Sequence, residues 1–158
     1  MKRKSTKMGD FIKIELGDNM VAYARVIVNG IFAFYKIDHP SDDNIELMEQ
    51  IRKSEPIFRL VVNDSAVLEG RWKIFGYSPV EPEILANPPV FFRQDIVDPK
   101  RCWLITMTPG FKKPIAPEEC VNMEMEAVWD DPEQVEDRLR DYLNGKPNKW
   151  AERLKVKL

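Results

Sequence analysis

Apolar and polar positions alternate with a period of two from early in the chain. Ile12, Ile14 and Leu16 interleave with Lys13 and Glu15, which reads as a half-buried strand. Gly17-Asp18-Asn19 supplies a turn. Residues 21–28 alternate again, with Ala22, Ala24, Val26 and Val28 on one side and Tyr23, Arg25 and Ile27 on the other. Asn29-Gly30 then precedes a β-rich run over 31–37. Asn-Gly between two such runs predicts a type I′ hairpin, because both central residues of that turn need positive φ. Residues 11–37 therefore read as a three-stranded antiparallel meander.

The period changes after His39-Pro40. Ile45, Met48 and Ile51 recur at helical spacing with Leu47 alongside, so 43–53 is predicted as an amphipathic helix capped by Ser41 or Asp42. Ser54-Glu55-Pro56 stops it. Residues 57–62 are apolar enough for a central strand. Asn63 or Asp64 then caps a short helix that Gly70 closes, and residues 72–77 form the next strand. Four prolines between 78 and 90 mark a connecting loop with little regular structure. Phe91-Phe92 is expected to split, one ring inward and one at the surface.

Residues 103–107 read as a strand and 108–117 as another Pro/Gly loop. Val121, Met123, Met125, Ala127 and Trp129 alternate with Asn122, Glu124, Glu126 and Val128, which predicts a strand with an acidic face. Asp131-Pro132 opens a last long helix with Val135, Leu139, Tyr142 and Leu143 as its buried stripe and Gly145 as its end. Residues 146–158 either continue as a short helix bearing Trp150 and Leu154 or fray.

Together these elements make one α+β domain over 8–145: a mostly antiparallel, curved, barrel-like β-sheet with two or three peripheral helices. A basic tail (1–7) and a basic segment (146–158) flank it. The length of 158 residues suits one well-cored domain. No apolar run is long enough to cross a membrane, and the basic N-terminus leads into Met8-Gly9-Asp10 and not into an apolar stretch, so the chain reads as cytoplasmic.

The formal charge of −2 hides an uneven distribution. Both ends are basic, whereas residues 115–141 hold ten acids against Arg138 and Arg140. An acidic block of this kind is either a solvated face or a surface that steers a basic partner. It argues against a dedicated nucleic-acid binder.

Catalytic signals are weak. His39 is the single histidine and stands at a strand end without a supporting pair. Gly-x-Ser-x-Gly and Gly-rich phosphate loops are absent. Cys102 and Cys120 with His39 are too few for a zinc site, so the cysteines read as buried reduced thiols and no metal or cofactor is expected. Asp42-Asp43 and Asp130-Asp131 lie at helix starts, where acids complement the helix dipole. Trp72 reads first as a core plug, with a partner surface as the other reading. Arg93 and Asp95 share one side of an extended backbone and would pair with each other or meet a partner.

Several segments together resemble the immunity protein 26 family of bacterial polymorphic-toxin systems: Gly9-Asp10-Phe11 with Ile14-Glu15-Leu16; Tyr23-Ala24-Arg25-Val26; Ile31-Phe32-Ala33-Phe34-Tyr35; Phe58-Arg59-Leu60; Gly70-Arg71-Trp72-Lys73-Ile74; and Phe91-Phe92-Arg93-Gln94-Asp95. The resemblance covers roughly residues 8–105 and leaves the acidic segment 118–145 outside. It implies a mostly β domain that is no enzyme and that binds and neutralises a cognate protein toxin, for which a basic nuclease is one candidate. The acids Glu124, Glu126, Glu133 and Glu136 are the first expectation for the binding surface, ahead of Arg71, Trp72, Arg93 and Asp95. The rival is a small β-barrel adaptor or nucleic-acid-binding module, and oligomeric state is left open.

Overall fold

A computed structural model describes residues 5–106 and 110–158. The meander forms as β1 (Asp10–Gly17), β2 (Met20–Val28) and β3 (Ile31–Tyr35), each antiparallel to the next. Its turns exchange geometries relative to the expectation. Asp18 and Asn19 both take positive φ, at 51° and 61°, so the primed turn lies between β1 and β2. At Asn29-Gly30 only Gly30 is left-handed, at 81°, and the register shifts between Val26 and Val28. A bulge there supplies the twist that a two-residue turn would otherwise give.

Helix α1 (Asn44–Arg52) is capped by Asp43, whose carboxylate accepts from the Ile45 amide at 3.1 Å. Leu47 and Ile51 face inward, whereas Ile45 is 69% exposed, so the buried stripe is narrower than its spacing suggested. Then come β4 (Phe58–Val62), the short α2 (Ser65–Leu68), β5 (Lys73–Tyr77) and α3 (Pro82–Ala86). Helix α3 lies inside the proline-rich segment predicted as loop. Pro82 stands at its first turn, where a missing N–H costs nothing.

Strands β1–β5 with β9 (Val128–Trp129) make a six-stranded sheet in the order β5-β1-β2-β3-β4-β9, antiparallel except for the β4–β9 pair. A second, three-stranded sheet joins β6 (Val90–Gln94), β7 (Cys102–Thr106) and β8 (Phe111–Ile115). Neither sheet closes, which corrects the barrel-like expectation. The predicted end of β7 at Met107 lies outside the described residues. Strand β8 replaces part of a predicted loop; Lys112, Lys113 and Pro114 mask its β character and suit an edge strand.

The expected strand over 121–129 is mostly absent. A 3-10 turn (Pro117–Cys120) precedes irregular backbone, and only Val128–Trp129 joins a sheet as β9. Residues 124–126 run beside β6 instead: Phe92 donates to the Glu124 carbonyl at 3.0 Å, and the Glu126 amide donates to the Phe92 carbonyl at 2.8 Å. Helix α4 (Pro132–Leu143), capped by Asp131, and α5 (Lys149–Arg153) complete the chain. Among the described residues five α-helices thus stand where two or three were expected.

The six-stranded sheet is buried on both faces. One face packs Ile12, Ile14, Phe32, Phe34, Leu60 and Trp72 against Trp129, Val135 and Leu139 from β9 and α4. The other packs Phe11, Tyr23, Ile31 and Tyr35 against Leu47 and Ile51 of α1 and Phe91 of β6. Burial on both sides explains why β2 reads as almost wholly apolar. Phe92 faces a third small cluster with Cys102 and Cys120, so both rings of Phe91-Phe92 point inward.

Candidate partner-binding site

The residues singled out from sequence mostly meet one another. Trp72 follows the turn after α2 and is 1% exposed, packed beside Phe32 and Phe34 with ring centroids 6.5 and 6.4 Å away. Its indole N–H donates to Glu136 Oε2 at 2.8 Å. Arg71 donates from Nε to the same oxygen at 2.8 Å and from Nη2 to Oε1 at 2.6 Å. One carboxylate on α4, 6% exposed, thus takes three donors from the loop before β5. Burial works against the charge on Glu136, but the hydrogen bonds from Arg71 and Trp72 and the Arg71 charge outweigh it and hold the carboxyl below its ordinary range.

Two further pairs follow the same plan. Arg93 on β6 reaches both oxygens of Glu126 from Nη2 at 2.7 and 2.8 Å. Arg138 on α4 grips Glu124 with two parallel bonds at 2.8 and 2.7 Å, and its guanidinium lies over Phe58, 4.1 Å from the ring centroid. Arg93 therefore bonds an acid from the neighbouring segment, not Asp95. Glu133 stays exposed at the start of α4, close to the exposed Asp130 and Asp131. Asp95 lies in the β6–β7 hairpin, its carboxylate accepting from the Val97 and Asp98 amides.

The eight residues accordingly split. Arg71, Trp72, Arg93, Glu126 and Glu136 stitch the segment after residue 115 onto the elements before it, whereas Glu124 pairs within that segment, with Arg138. Glu133 and Asp95 remain at the surface, with Asp95 ordering a turn.

Arg25 escaped the site reading, although a lone cation in an apolar run is a visible signal. It is fully buried on β2, bonded to Glu81 at 2.6 Å and to the carbonyls of Ser78 and Pro79 at 3.2 and 3.0 Å, with its guanidinium 4.8 Å from the centre of the Phe11 ring. It fixes the loop after β5 against the sheet. Gly9, at a φ of 101°, lies under that same loop, where a Cβ would press into the Ser78 carbonyl.

His39 is exposed, and its backbone carbonyl accepts from Gln50 at 2.9 Å. Cys102 and Cys120 are free, buried thiols. Burial, with Cys102 adjacent, pushes the Cys120 thiol up to about 11, far from the reactive thiolate range. No group of three or more His, Cys, Asp or Glu side chains among the described residues is placed to hold a metal ion. A cleft of about 330 Å³ opens between β4 and β6, lined by Glu55, Arg59, Phe91 and Met123 among others. No described helix is long and apolar enough to cross a membrane.

Most of the charged residues singled out from the sequence thus hold an α+β fold together. The chain matches immunity protein 26 over residues 7–103, more than half of its length, and belongs to that family. No curated protein and no solved structure matches it.

Proposed function

We propose that this chain protects the bacterium that makes it by binding a cognate toxin in the cytoplasm, one to one, and that it acts by occlusion and not by catalysis. Family membership over residues 7–103 carries the reading. Among the described residues, Asp130, Asp131 and Glu133 at the start of α4 are exposed and outside the arginine pairs, as are Glu118 and Glu119, and the cluster of three would steer a basic toxin, such as a nuclease, toward this face.

The test is a tagged pull-down from cells in which the neighbouring toxin gene is induced, with mass spectrometry of stoichiometric partners. Recovery of the toxin domain, and growth protection that follows expression of this chain, support the proposal. Recovery of nucleic acid with salt-dependent affinity favours the adaptor or nucleic-acid module instead. For the steering surface, Glu133→Lys should slow association severalfold at low salt and leave unfolding unchanged. An unchanged rate removes this face from the proposal.

A further inference from the structure

The hairpin joining β6 to β7 is tied down from within. Asp95 Oδ1 accepts from the Val97 amide at 2.8 Å and the Asp98 amide at 3.3 Å. The Asp95 amide donates to the Arg101 carbonyl at 2.9 Å, and the Arg101 amide to the Asp98 carbonyl at 3.0 Å. Asp98 Oδ1 accepts from the Lys100 amide at 3.1 Å. At the base, Gln94 donates to the Pro99 and Lys157 carbonyls at 2.8 and 2.7 Å and accepts from the Lys157 amide at 2.9 Å. The C-terminal segment thus braces the hairpin from behind.

All of this order presents two apolar side chains to water. Ile96 is 97% exposed and Val97 92%. Both are β-branched, with few rotamers left to lose. An ordered loop with bare apolar tips has already lost the entropy that binding would otherwise cost, which is the property of an interface anchor.

The surroundings define the partner. Lys100, Arg101, Lys112 and Lys157 are exposed. Arg101 and Lys112 lie over the Trp103 ring, 5.2 and 4.4 Å from its centroid. Asp95 stays charged and pairs with Arg101 at 3.7 Å, and Asp98 accepts from the Lys100 amide, so these two carboxylates offset part of the positive charge. Four cations against two carboxylates leave the rim net positive around an apolar tip.

We propose that Ile96 and Val97 are the anchor by which this chain docks on its partner protein, entering an apolar pocket whose rim carries carboxylates. The proposal rests on the immunity reading and adds a second contact to the acidic start of α4: a toxin that is basic overall would carry a local acidic pocket for the hairpin.

The test uses the full chain carrying Ile96→Ser with Val97→Ser, against the toxin domain recovered with the wild type. Asp95 accepts from backbone amides, which serine retains, so the thermal midpoint should match the wild type. Affinity should fall at least about tenfold, as it does when a central anchor is truncated. Lys100→Glu with Lys112→Glu, which spares the Arg101–Asp95 pair that steadies the hairpin, should slow association several times at low salt. Wild-type affinity in the double serine variant overturns the docking and leaves the immunity reading standing. Unaltered kinetics in the charge-reversed variant overturns the carboxylate rim. A wild-type chain that neither binds nor protects against the toxin removes both. Binding of a single-stranded 20-mer oligonucleotide that the charge reversal abolishes, or a dimer of this chain that the serine variant dissociates, assigns the surface to another occupant and overturns the proposal.

Discussion

Glu136 shows how one side chain can look like surface in sequence and be structure in fact. It follows the apolar Val135 and lies within a strongly acidic block, so its sequence context is that of a solvated helix face. In the fold it is the common acceptor of Arg71 and of the Trp72 indole. Removing it leaves a buried indole N–H without a partner and a guanidinium without its counter-charge. Glu136→Ala should therefore lose about 2–3 kcal/mol of stability, the usual cost of orphaned buried donors. Glu136→Gln should lose less, because an amide oxygen in the place of Oε2 still accepts from Trp72 and from Arg71 Nε. Urea denaturation measures both, and an unchanged midpoint in the alanine variant would show that the carboxylate does not support the fold. It follows that reversing Glu124, Glu126 and Glu136 would probe folding, and only Glu133 among the four tests the surface.

At the scale of elements, the legible parts were those whose own periodicity suffices. The meander, α1, β4, α2 and α4 follow from alternation, helical spacing and caps. Strand β8 did not, because Lys112, Lys113 and Pro114 fit an edge whose side chains pack against little. The 121–129 segment failed for the opposite reason. Its alternation is real, yet its backbone meets β6 only around Phe92, through one isolated bridge, with Glu126 and Glu124 held by Arg93 and Arg138. Such long-range pairings carry no local signature. They also make the second half of the chain necessary to the first. Trp129, Val135 and Leu139 cover the face formed by Ile12, Ile14, Phe32 and Phe34, and Glu136 satisfies Trp72. A fragment of residues 1–105, close to the span that matches the family, should accordingly fail to unfold cooperatively and should bind a hydrophobic dye. A sharp two-state transition in that fragment would show that the later helices are an addition and not a lid on the core.

At the scale of the whole molecule, the charge pairs give the chain one shared dependence on pH. Glu136 is held below its ordinary value as described. Burial also opposes the charge on Glu81, but the hydrogen bond and charge of Arg25 prevail and keep it low. Backbone hydrogen bonds from Val97 and Asp98 lower Asp95 in the same direction. A carboxyl whose folded value is depressed binds its proton more readily in the unfolded chain. Its stabilisation is complete above the ordinary carboxylate values, 4.5 for glutamate and 3.8 for aspartate, and is lost as pH falls through the lower folded values. The urea midpoint should therefore hold nearly level from neutrality to about pH 5 and decline steeply below it. Glu136→Gln removes one of the titrating groups, so its midpoint should start lower and fall less between about pH 5 and pH 3. Parallel curves for the two proteins would mean that Arg71 and Trp72 bind the neutral acid as well as the carboxylate, and that the ion pair linking α4 to the β5 loop contributes no acid-sensitive stability.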